Sequence, residues 1–422
     1  MRKARILFIL AAVSSLVGIV SCGEKEVYDP ERHKEIIRYV SPVDSVDQQH
    51  TWQLTENRTY SLSSDANVGA SRLEIYSENP ITSSEAEMMS RVFVSDGQTV
   101  TLTVSMPSLA TTLYAAIVDG DGKYTVTSFN KSDRNVSFSD PIAAQQSPLV
   151  DSPRVMAYTY CYEEDFPEPG DYDYNDVVLR IALERTGQKT IDIHTTLSAV
   201  GASRSLAGAL RLVGYRYQDI DSIVAKDGKT FNVNVPSTCH ELLQSDDILQ
   251  QGRRGEAVIN LFCDAHWAMD DNLSDTNGDF PHYKYNVTRS YSEGYDIVYV
   301  KTITHRVYFK SDANLNNFTF EMLDPFLLSY YVGGKEEIHV DEFSGAQTMY
   351  EYNTISFKDL PWALKIPVRN FKYPLEGVEI GFRKQGYMFG AYMTVGHGFG
   401  EWCEDHRNYQ DWYLYPEDNQ VY

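Results

Sequence analysis

The chain is poor in positive charge. It has 37 Lys and Arg residues against 59 Asp and Glu residues, which gives a formal net charge of −22 over 422 residues. It also has no run rich in lysine or arginine. Proteins bind phosphate backbones and anionic lipid surfaces through clustered cations, and this chain lacks such clusters. The composition therefore argues against nucleic acid as a partner.

Several catalytic and metal-binding signatures are also missing. No GxSxG, HExxH or P-loop pattern occurs, so the common hydrolase and phosphate-binding sites lack their central residues. The cysteines show no CxxC spacing, which argues against a zinc knuckle. Four of them could form two disulfides in any of three pairings, or stay as free buried thiols. These four are Cys161, Cys239, Cys263 and Cys403.

Aromatic residues are abundant, by contrast. Aromatic content is 13% and hydrophobic content 42%, which is too high for a disordered chain. The 30 tyrosines and 18 phenylalanines favour strands over helices. Residues 99–106 alternate strictly between polar and apolar, which predicts a strand with one buried face. That face would consist of Val100, Leu102, Val104 and Met106.

These patterns predict a mainly β protein. We expect an N-terminal β-sandwich over residues 50–145, ending at a stretch rich in proline and glutamine. A larger antiparallel β domain, sandwich-like or jelly-roll-like, would follow over residues 150–422. Short helices are expected at Leu206–Leu212 and Glu241–Leu249, although the first of these segments could equally be a strand with small residues packed closely.

The first residues have the pattern of an export signal. Arg2, Lys3 and Arg5 precede an apolar stretch, so residues 1–21 predict a secretory signal peptide that is too short to span a membrane. The sequence Ile-Val-Ser-Cys that ends at Cys22 has the residue types of a bacterial lipobox. Lipid attached to Cys22 would anchor the mature protein on a membrane. The alternative is an ordinary secreted protein in which Cys22 is a plain thiol.

Residues 22–49 are charged and lack sustained periodicity, which predicts a lipidated tether. The segment Gly23-Glu24-Lys25-Glu26 resembles the short acidic tag that directs Bacteroidetes lipoproteins to the cell surface. We therefore expect an outer-membrane location with the protein facing the exterior of the cell.

The richest site for chemistry is an acidic stretch that runs from Glu163 to Asp176. Asp171, Asp173 and Asn175 recur at every second residue, so in an extended segment their oxygens would point to one side, about 7 Å apart. Carboxylates so close repel each other, and Ca²⁺, which takes six to eight oxygen ligands, would reverse that repulsion. The stretch is not an EF-hand, because the sixth position counted from Asp171 is Asp176 instead of glycine.

Two other interpretations of this stretch stay open. Its Asp and Asn side chains could bond nearby backbone N–H groups in a solvated turn. Paired carboxylates could also act as acid and base in a glycosidase, which requires one carboxyl of raised pKa in a cleft.

The acidic stretch resembles the signature of a known family. Tyr162-Glu163-Glu164-Asp165, followed by Pro169-Gly170-Asp171-Tyr172-Asp173-Tyr174-Asn175-Asp176-Val177-Val178, is similar to the motif of the LruC-domain family of bacterial surface lipoproteins. Segments 360–367 and 411–416 resemble the C-terminal region of that family, so the resemblance covers roughly residues 150–422. It implies a lipid-anchored, mainly β protein with no established activity. Because the family's motif is similar to calcium-type loops, it implies six candidate ligands: Glu164, Asp165, Asp171, Asp173, Asn175 and Asp176.

A second, weaker candidate for a calcium loop lies further along the chain. Asp275, Asn277 and Asp279 again place oxygen donors at every second residue, next to Gly278. A plain polar loop explains the same residues, because Asn-Gly and Asp clusters are ordinary in turns.

Together these observations predict a lipid-anchored binding or structural protein of the cell surface, adhesin-like or ligand-binding. Calcium would stabilise its acidic loop, its partners would be a membrane and a surface glycan or protein, and no catalytic activity is expected. The alternative is a surface glycoside hydrolase that uses acids such as Asp173 and Glu164.

Overall fold

The structure is a computed structural model. It describes residues 43, 45–64, 68–139, 141–166, 170–233, 235, 243, 247–270, 283–292, 294–311, 315–331, 334–343, 360–381 and 390–422. The predicted signal peptide, Cys22, most of the predicted tether and the second acidic cluster lie outside the described residues. The three residues of that cluster are Asp275, Asn277 and Asp279.

The first part of the chain forms two sheets. One has three strands in the order β4-β1-β7, and the other has six in the order β8-β6-β5-β2-β3-β9. The strands are β1 (Thr55–Ser63), β2 (Ala70–Tyr76), β3 (Glu87–Phe93), β4 (Thr99–Pro107), β5 (Thr112–Asp119), β6 (Tyr124–Asn130), β7 (Asn135–Val136), β8 (Ala143–Gln146) and β9 (Arg154–Val155).

The alternation at residues 99–106 does produce a strand with one buried face. β4 pairs antiparallel with β1 from Thr55 opposite Pro107 to Ser63 opposite Thr99. The predicted inward residues are at most 8% exposed: Val100, Leu102, Val104 and Met106. This part of the prediction is confirmed, because a period of two can bury only one face of a strand.

The second part of the chain contains a six-stranded sheet in the order β14-β19-β12-β11-β10-β22, a five-stranded sheet in the order β15-β16-β13-β20-β21 and the pair β17-β18. The strands are β10 (Ala157–Tyr162), β11 (Val177–Gly187), β12 (Thr190–Ala199), β13 (Ala207–Arg216), β14 (Ile220–Ala225), β15 (Leu249–Gln251), β16 (Glu256–Phe262), β17 (Lys284–Tyr285), β18 (Tyr295–Asp296), β19 (Lys301–Phe309), β20 (Leu323–Tyr331), β21 (Gly334–Ile338) and β22 (Ala363–Ile366).

Helices are short throughout the described residues. The α-helices are α1 (Ala265–Met269) and α2 (Phe399–Glu404), and the 3-10 turns are Tyr217–Asp219, Lys226–Gly228, Leu315–Asn317, Phe320–Met322 and Trp412–Leu414. None of these described helices has the length and apolar character needed to cross a membrane. The predicted fold class, a mainly β protein with antiparallel sheets and few short helices, is confirmed.

The segment predicted as a helix or a closely packed strand is a strand. Leu206–Leu212 lies largely within β13, which pairs with β16 on one side and β20 on the other. A Cβ added to Gly208 would lie 2.4 Å from the ring of Phe262, so the small residue is needed for close packing. The helix expected at Glu241–Leu249 falls largely outside the described residues, and its last residue begins β15.

Both alternatives left open for these cysteines, a disulfide and a free buried thiol, occur among the described residues. Cys161 and Cys403 are free and buried. Cys263 is disulfide-bonded, and its partner lies outside the described residues. Burial raises the pKa of the Cys403 thiol well above its usual value, which leaves it a poor nucleophile.

Residues Pro42–Tyr422 form one compact unit. Within it, contacts join the strands before and after residue 150. Arg91 Nη1 donates to Glu184 Oε1 at 2.6 Å, and β3 pairs in parallel with β9 at Glu87 and Arg154. The division into domains over 50–145 and 150–422 stays a prediction.

Candidate metal centre

The acidic loop connects two buried, paired strands. The pairing of β10 with β11 ends at Tyr162 opposite Val177, so residues 163–176 form the connection between the strands. β10 is buried over its whole length. A carboxylate directly after such a strand lies in the protein interior, because too few residues separate it from the buried strand for it to reach the surface.

The backbone of the loop is not the extended segment that the spacing suggested. Tyr172 has φ of 63° and Tyr174 has φ of 51°, both in the left-handed region that non-glycine residues rarely adopt. Tertiary contacts hold this conformation: Tyr174 OH donates to Pro361 O at 2.8 Å, and Ile380 N donates to Tyr172 O at 2.7 Å. Strained backbone of this kind is concentrated at functional sites.

Glu163 is the most deeply buried of the described acids in the loop, with 0% of the residue exposed. Its Oε1 accepts a hydrogen bond from Tyr174 N at 2.6 Å, whereas its Oε2 has no hydrogen-bond partner among the described residues. A Cβ added to Gly170 would lie 1.9 Å from that Oε2, so the Gly170 backbone passes directly beside it.

Two further carboxylates meet Glu163. One carboxylate oxygen each from Glu163, Asp171 and Asp173 lies within 4.8 Å of the other two. Asp173 is 1% exposed, and its two oxygens accept hydrogen bonds from Asn175 N at 3.1 Å and Gly377 N at 2.8 Å. Asp171 is exposed, so the group is open to solvent on one side.

Burial and mutual repulsion dominate the electrostatics of this group. Burial, and then the charges of Asp173 and Asp171, raise the pKa of Glu163 well above its usual value. Burial, and then Asp171 and Glu376, do the same to the pKa of Asp173. Lys284 is nearby but forms an ion pair with Glu376. Among the described residues, these acids therefore have no cation in ion-pair contact, although the charge of Lys284 opposes the rise that burial gives the pKa of Asp171.

The other residues predicted as ligands hold the loop in place. Glu164 Oε1 accepts from Ser203 N at 2.6 Å, and its Oε2 accepts from Arg204 N at 2.7 Å. Asp165 forms a 3.1 Å ion pair with Arg204. Asp176 Oδ2 accepts from Glu164 N at 2.7 Å. Glu164 and Asp165 tie the loop to the β12–β13 connection.

Asn175 has a mixed environment. Its Nδ2 donates to Pro374 O at 3.1 Å, while its Oδ1 is buried without a hydrogen-bond partner among the described residues. A Cβ added to Gly201 would lie 1.9 Å from that Oδ1. The side chain is therefore packed against the β12–β13 connection.

The sequence motif includes Glu163, but the spacing of the acids does not indicate Glu163 as a ligand, and no sequence pattern indicates Glu376. A signal for Glu163 was present, because it follows a strongly apolar and aromatic strand without an intervening turn. Glu376 had no local signal, since it approaches the loop only through the tertiary fold. Its Oε2 is also buried without a hydrogen-bond partner among the described residues.

The donor set fits a hard divalent cation. Ca²⁺–oxygen bonds are about 2.3–2.6 Å long, so two ligand oxygens of one ion are at most about 5 Å apart. The separations among the oxygens of Glu163, Asp171 and Asp173 are at most 4.8 Å and satisfy this limit. The set contains only oxygen donors, whereas structural zinc sites use cysteine and histidine.

Comparison with known proteins gives a family. The sequence model of DUF4842, a domain of unknown function, matches residues 189–413, which is more than half of the chain. The chain belongs to the DUF4842 family. The DUF4842 match contains Lys284, Glu376 and Gly377, while Glu163, Asp171 and Asp173 precede it. The acidic group is thus completed by contacts between the DUF4842 segment and the strands before it.

A solved structure has a similar fold. It is the crystal structure of a "Putative lipoprotein from Bacteroides ovatus", with a TM-score of 0.51 and 17% sequence identity. The similarity covers 84% of this DUF4842 chain and 99% of that chain. At this identity the likeness concerns the fold alone. No protein of curated function matches the sequence.

Proposed function

We propose that this DUF4842 protein is a lipid-anchored binding or structural protein of the bacterial cell surface, and that a Ca²⁺ ion stabilises its acidic loop. Glu163, Asp171 and Asp173 would bind the ion. The carrying observation is the convergence of three carboxylate oxygens within 4.8 Å, together with a buried Glu163 Oε2 that has no hydrogen-bond partner among the described residues.

A bound cation would offset the destabilisation that this arrangement causes. A buried oxygen without a partner and several buried like charges each destabilise the folded state. A divalent cation supplies both the missing partner and the opposite charge. Bound Ca²⁺ would also lock the loop between β10 and β11, so its role is structural.

Burial favours a bound ion over glycoside hydrolysis. Glu163 is 0% exposed and Asp173 is 1% exposed. A sugar ring needs a cleft that leads to both carboxyl groups. An ion needs only the opening beside the exposed Asp171.

The anchor rests on sequence and family resemblance. The lipobox ends at Cys22 after a signal-like segment, the fold is similar to that of a putative lipoprotein from Bacteroides ovatus, and the acidic motif resembles that of LruC-domain surface lipoproteins. A Cys22→Ala variant should leave the membrane fraction and appear in the soluble fraction. External protease should digest the wild-type protein on intact cells, and survival of the protein would contradict a surface location.

Thermal unfolding of the full chain tests the calcium site. Ca²⁺ at 100 times its Kd should stabilise the native state by about 2.7 kcal/mol relative to excess EDTA. Glu163→Gln should remove this shift, whereas Asp121→Asn, in the exposed β5–β6 turn, should retain it. Equal stabilisation of the wild type and Glu163→Gln, or no stabilisation of the wild type, would refute the site.

A further inference from the structure

A polar cleft of about 600 Å³ lies between the sheet that contains β11, β12 and β19 and the strands β2 and β3. Four arginines line it: Arg72 on β2, Arg91 on β3, Arg180 on β11 and Arg369 after β22. Two acids, Asp151 and Glu184, also line it, so arginines outnumber acids there in a chain of net charge −22. The volume is typical of sites for small ligands.

Three of these arginines are neutralised by the protein itself. Arg72 Nε lies 2.8 Å from Glu74 Oε1, and Arg91 Nε lies 2.6 Å from the same oxygen. Arg369 Nε lies 3.3 Å from Glu87 Oε1. These ion pairs fix the guanidinium groups at the wall of the cleft.

Arg180 differs from the other three. No described residue forms an ion pair or a hydrogen bond with its side chain, and its Nε is buried without a partner. The side chain nevertheless lines the cleft. A guanidinium has five donors in a fixed planar fork that matches the oxygens of a carboxylate or sulfate.

Hydroxyl groups continue the site across the sheet. Arg180 on β11 lies opposite Thr196 on β12, which lies opposite Thr302 on β19. Residues in such a row share one face of the sheet. Thr196 Oγ1 and Thr302 Oγ1 are hydrogen-bonded at 2.6 Å, and both residues line the cleft.

We propose that this cleft binds the oxyanion group of an acidic sugar, either a carboxylate or a sulfate, with Arg180 as its bidentate partner. Thr196 and Thr302 would contact hydroxyl groups of the same ligand. The negative charge of the protein does not prevent this, because charges further away than about 8 Å are largely screened at physiological salt. The site goes beyond the proposed calcium and anchoring roles and depends on neither.

Calorimetric titration of the full chain tests the site. The probes are sodium glucuronate, sodium sulfate and neutral glucose at constant ionic strength. Arg180→Gln should weaken binding of the anionic probe by about tenfold or more, because it removes a charged, bidentate hydrogen bond. Arg58→Gln is the matched control, since Arg58 lies on β1 outside the cleft lining, and it should leave the affinity unchanged.

Two more variants keep the test decisive if Arg180→Gln does not fold. Arg180→Lys retains the charge without the fork, and Arg72→Gln removes a cation from the opposite wall, so both should bind more weakly than the wild type. Binding of glucuronate alone identifies a carboxylate, binding of sulfate alone identifies a sulfate, and either result supports the proposal. It is overturned if neither anion binds the wild type, if glucose binds equally well, or if folded Arg180 variants retain full affinity.

Discussion

Glu74 and Glu163 are both fully buried glutamates, yet the protein treats them differently. Glu74 receives Arg72 at 2.8 Å, Arg91 at 2.6 Å and the hydroxyl of Tyr76 at 2.6 Å. Glu163 receives one backbone N–H and lies among other carboxylates. The charge of Glu74 is balanced within the chain, whereas we propose that a cation from outside balances the charge of Glu163. A buried acid that lacks protein partners is therefore the stronger indication of a ligand.

Removing the charge of Glu74 should have the largest effect. Glu74→Gln leaves two arginines without their shared partner, and breaking a buried ion pair from one side costs about 3–5 kcal/mol. Urea unfolding should show this loss equally in EDTA and in calcium. A loss that appears only in calcium would contradict the view that Glu74 is balanced within the chain.

Two buried histidines also differ in whether a protein carboxylate pairs with them, and this difference makes stability depend on pH. His339 lies 3.0 Å from Asp324, and although burial opposes it, that contact raises the pKa of His339. No described carboxylate forms an ion pair with the ring of His305, and burial lowers the pKa of His305 to about 4. The contribution of His305 to stability is therefore present above pH 6.5 and is lost as the pH falls towards 4, by about 3 kcal/mol in total.

Unfolding of His305→Leu between pH 7 and pH 4 checks this expectation. Relative to the wild type, the variant should lose less stability across that window. The contribution of His339 has the opposite sign, since it is present at acidic pH and is lost as the pH rises through the raised pKa. Parallel pH curves for the wild type and His305→Leu would show that His305 does not titrate in this way.

Crowding the acidic group should have a moderate effect. In Gly170→Ala the new methyl group would clash with Glu163 Oε2, because a Cβ placed with ideal geometry lies only 1.9 Å from that oxygen. Overpacking of this kind costs about 1–3 kcal/mol. Gly120→Ala is the control, because nothing lies within 4 Å of its Cβ position. Thermal unfolding should separate the two variants, and equal stability would show that the loop moves aside freely.

Neutralising Glu163 should have the smallest effect when no metal is present. Its raised pKa means that a neutral side chain suits the site in EDTA, and glutamine resembles the protonated acid. We expect a change in stability within about 1 kcal/mol, against the large loss in Glu74→Gln. A loss of several kcal/mol in EDTA would mean that protein groups already balance the Glu163 charge.

The sequence predicted local features of the fold well. The alternation at residues 99–106 identifies β4, because the order of polar and apolar residues within the strand is enough to indicate which face is buried. The sequence did not distinguish helix from strand at Leu206–Leu212, because Gly208 there serves close packing against Phe262 and the small residues carry no periodic pattern.

The candidate site was predictable as a region but not as a set of ligands. Left-handed backbone at Tyr172 and Tyr174 redirects the side chains, and nothing in the local sequence requires that conformation. One of the two amides that donate to Asp173 belongs to Gly377, which is 204 residues away along the chain. Such a contact depends on the whole fold, so the choice between Glu163 and Glu164 required the structure.

The reliance of the loop on Gly377 and Ile380 has a consequence for biosynthesis. The amides of these two residues bond Asp173 and Tyr172, so the loop cannot take its final shape until the chain has been made beyond residue 380. Because synthesis starts at the N-terminus, the acidic residues would leave the ribosome before the amides that hold the loop in shape have been made. Completion of the loop would then be one of the last events in maturation.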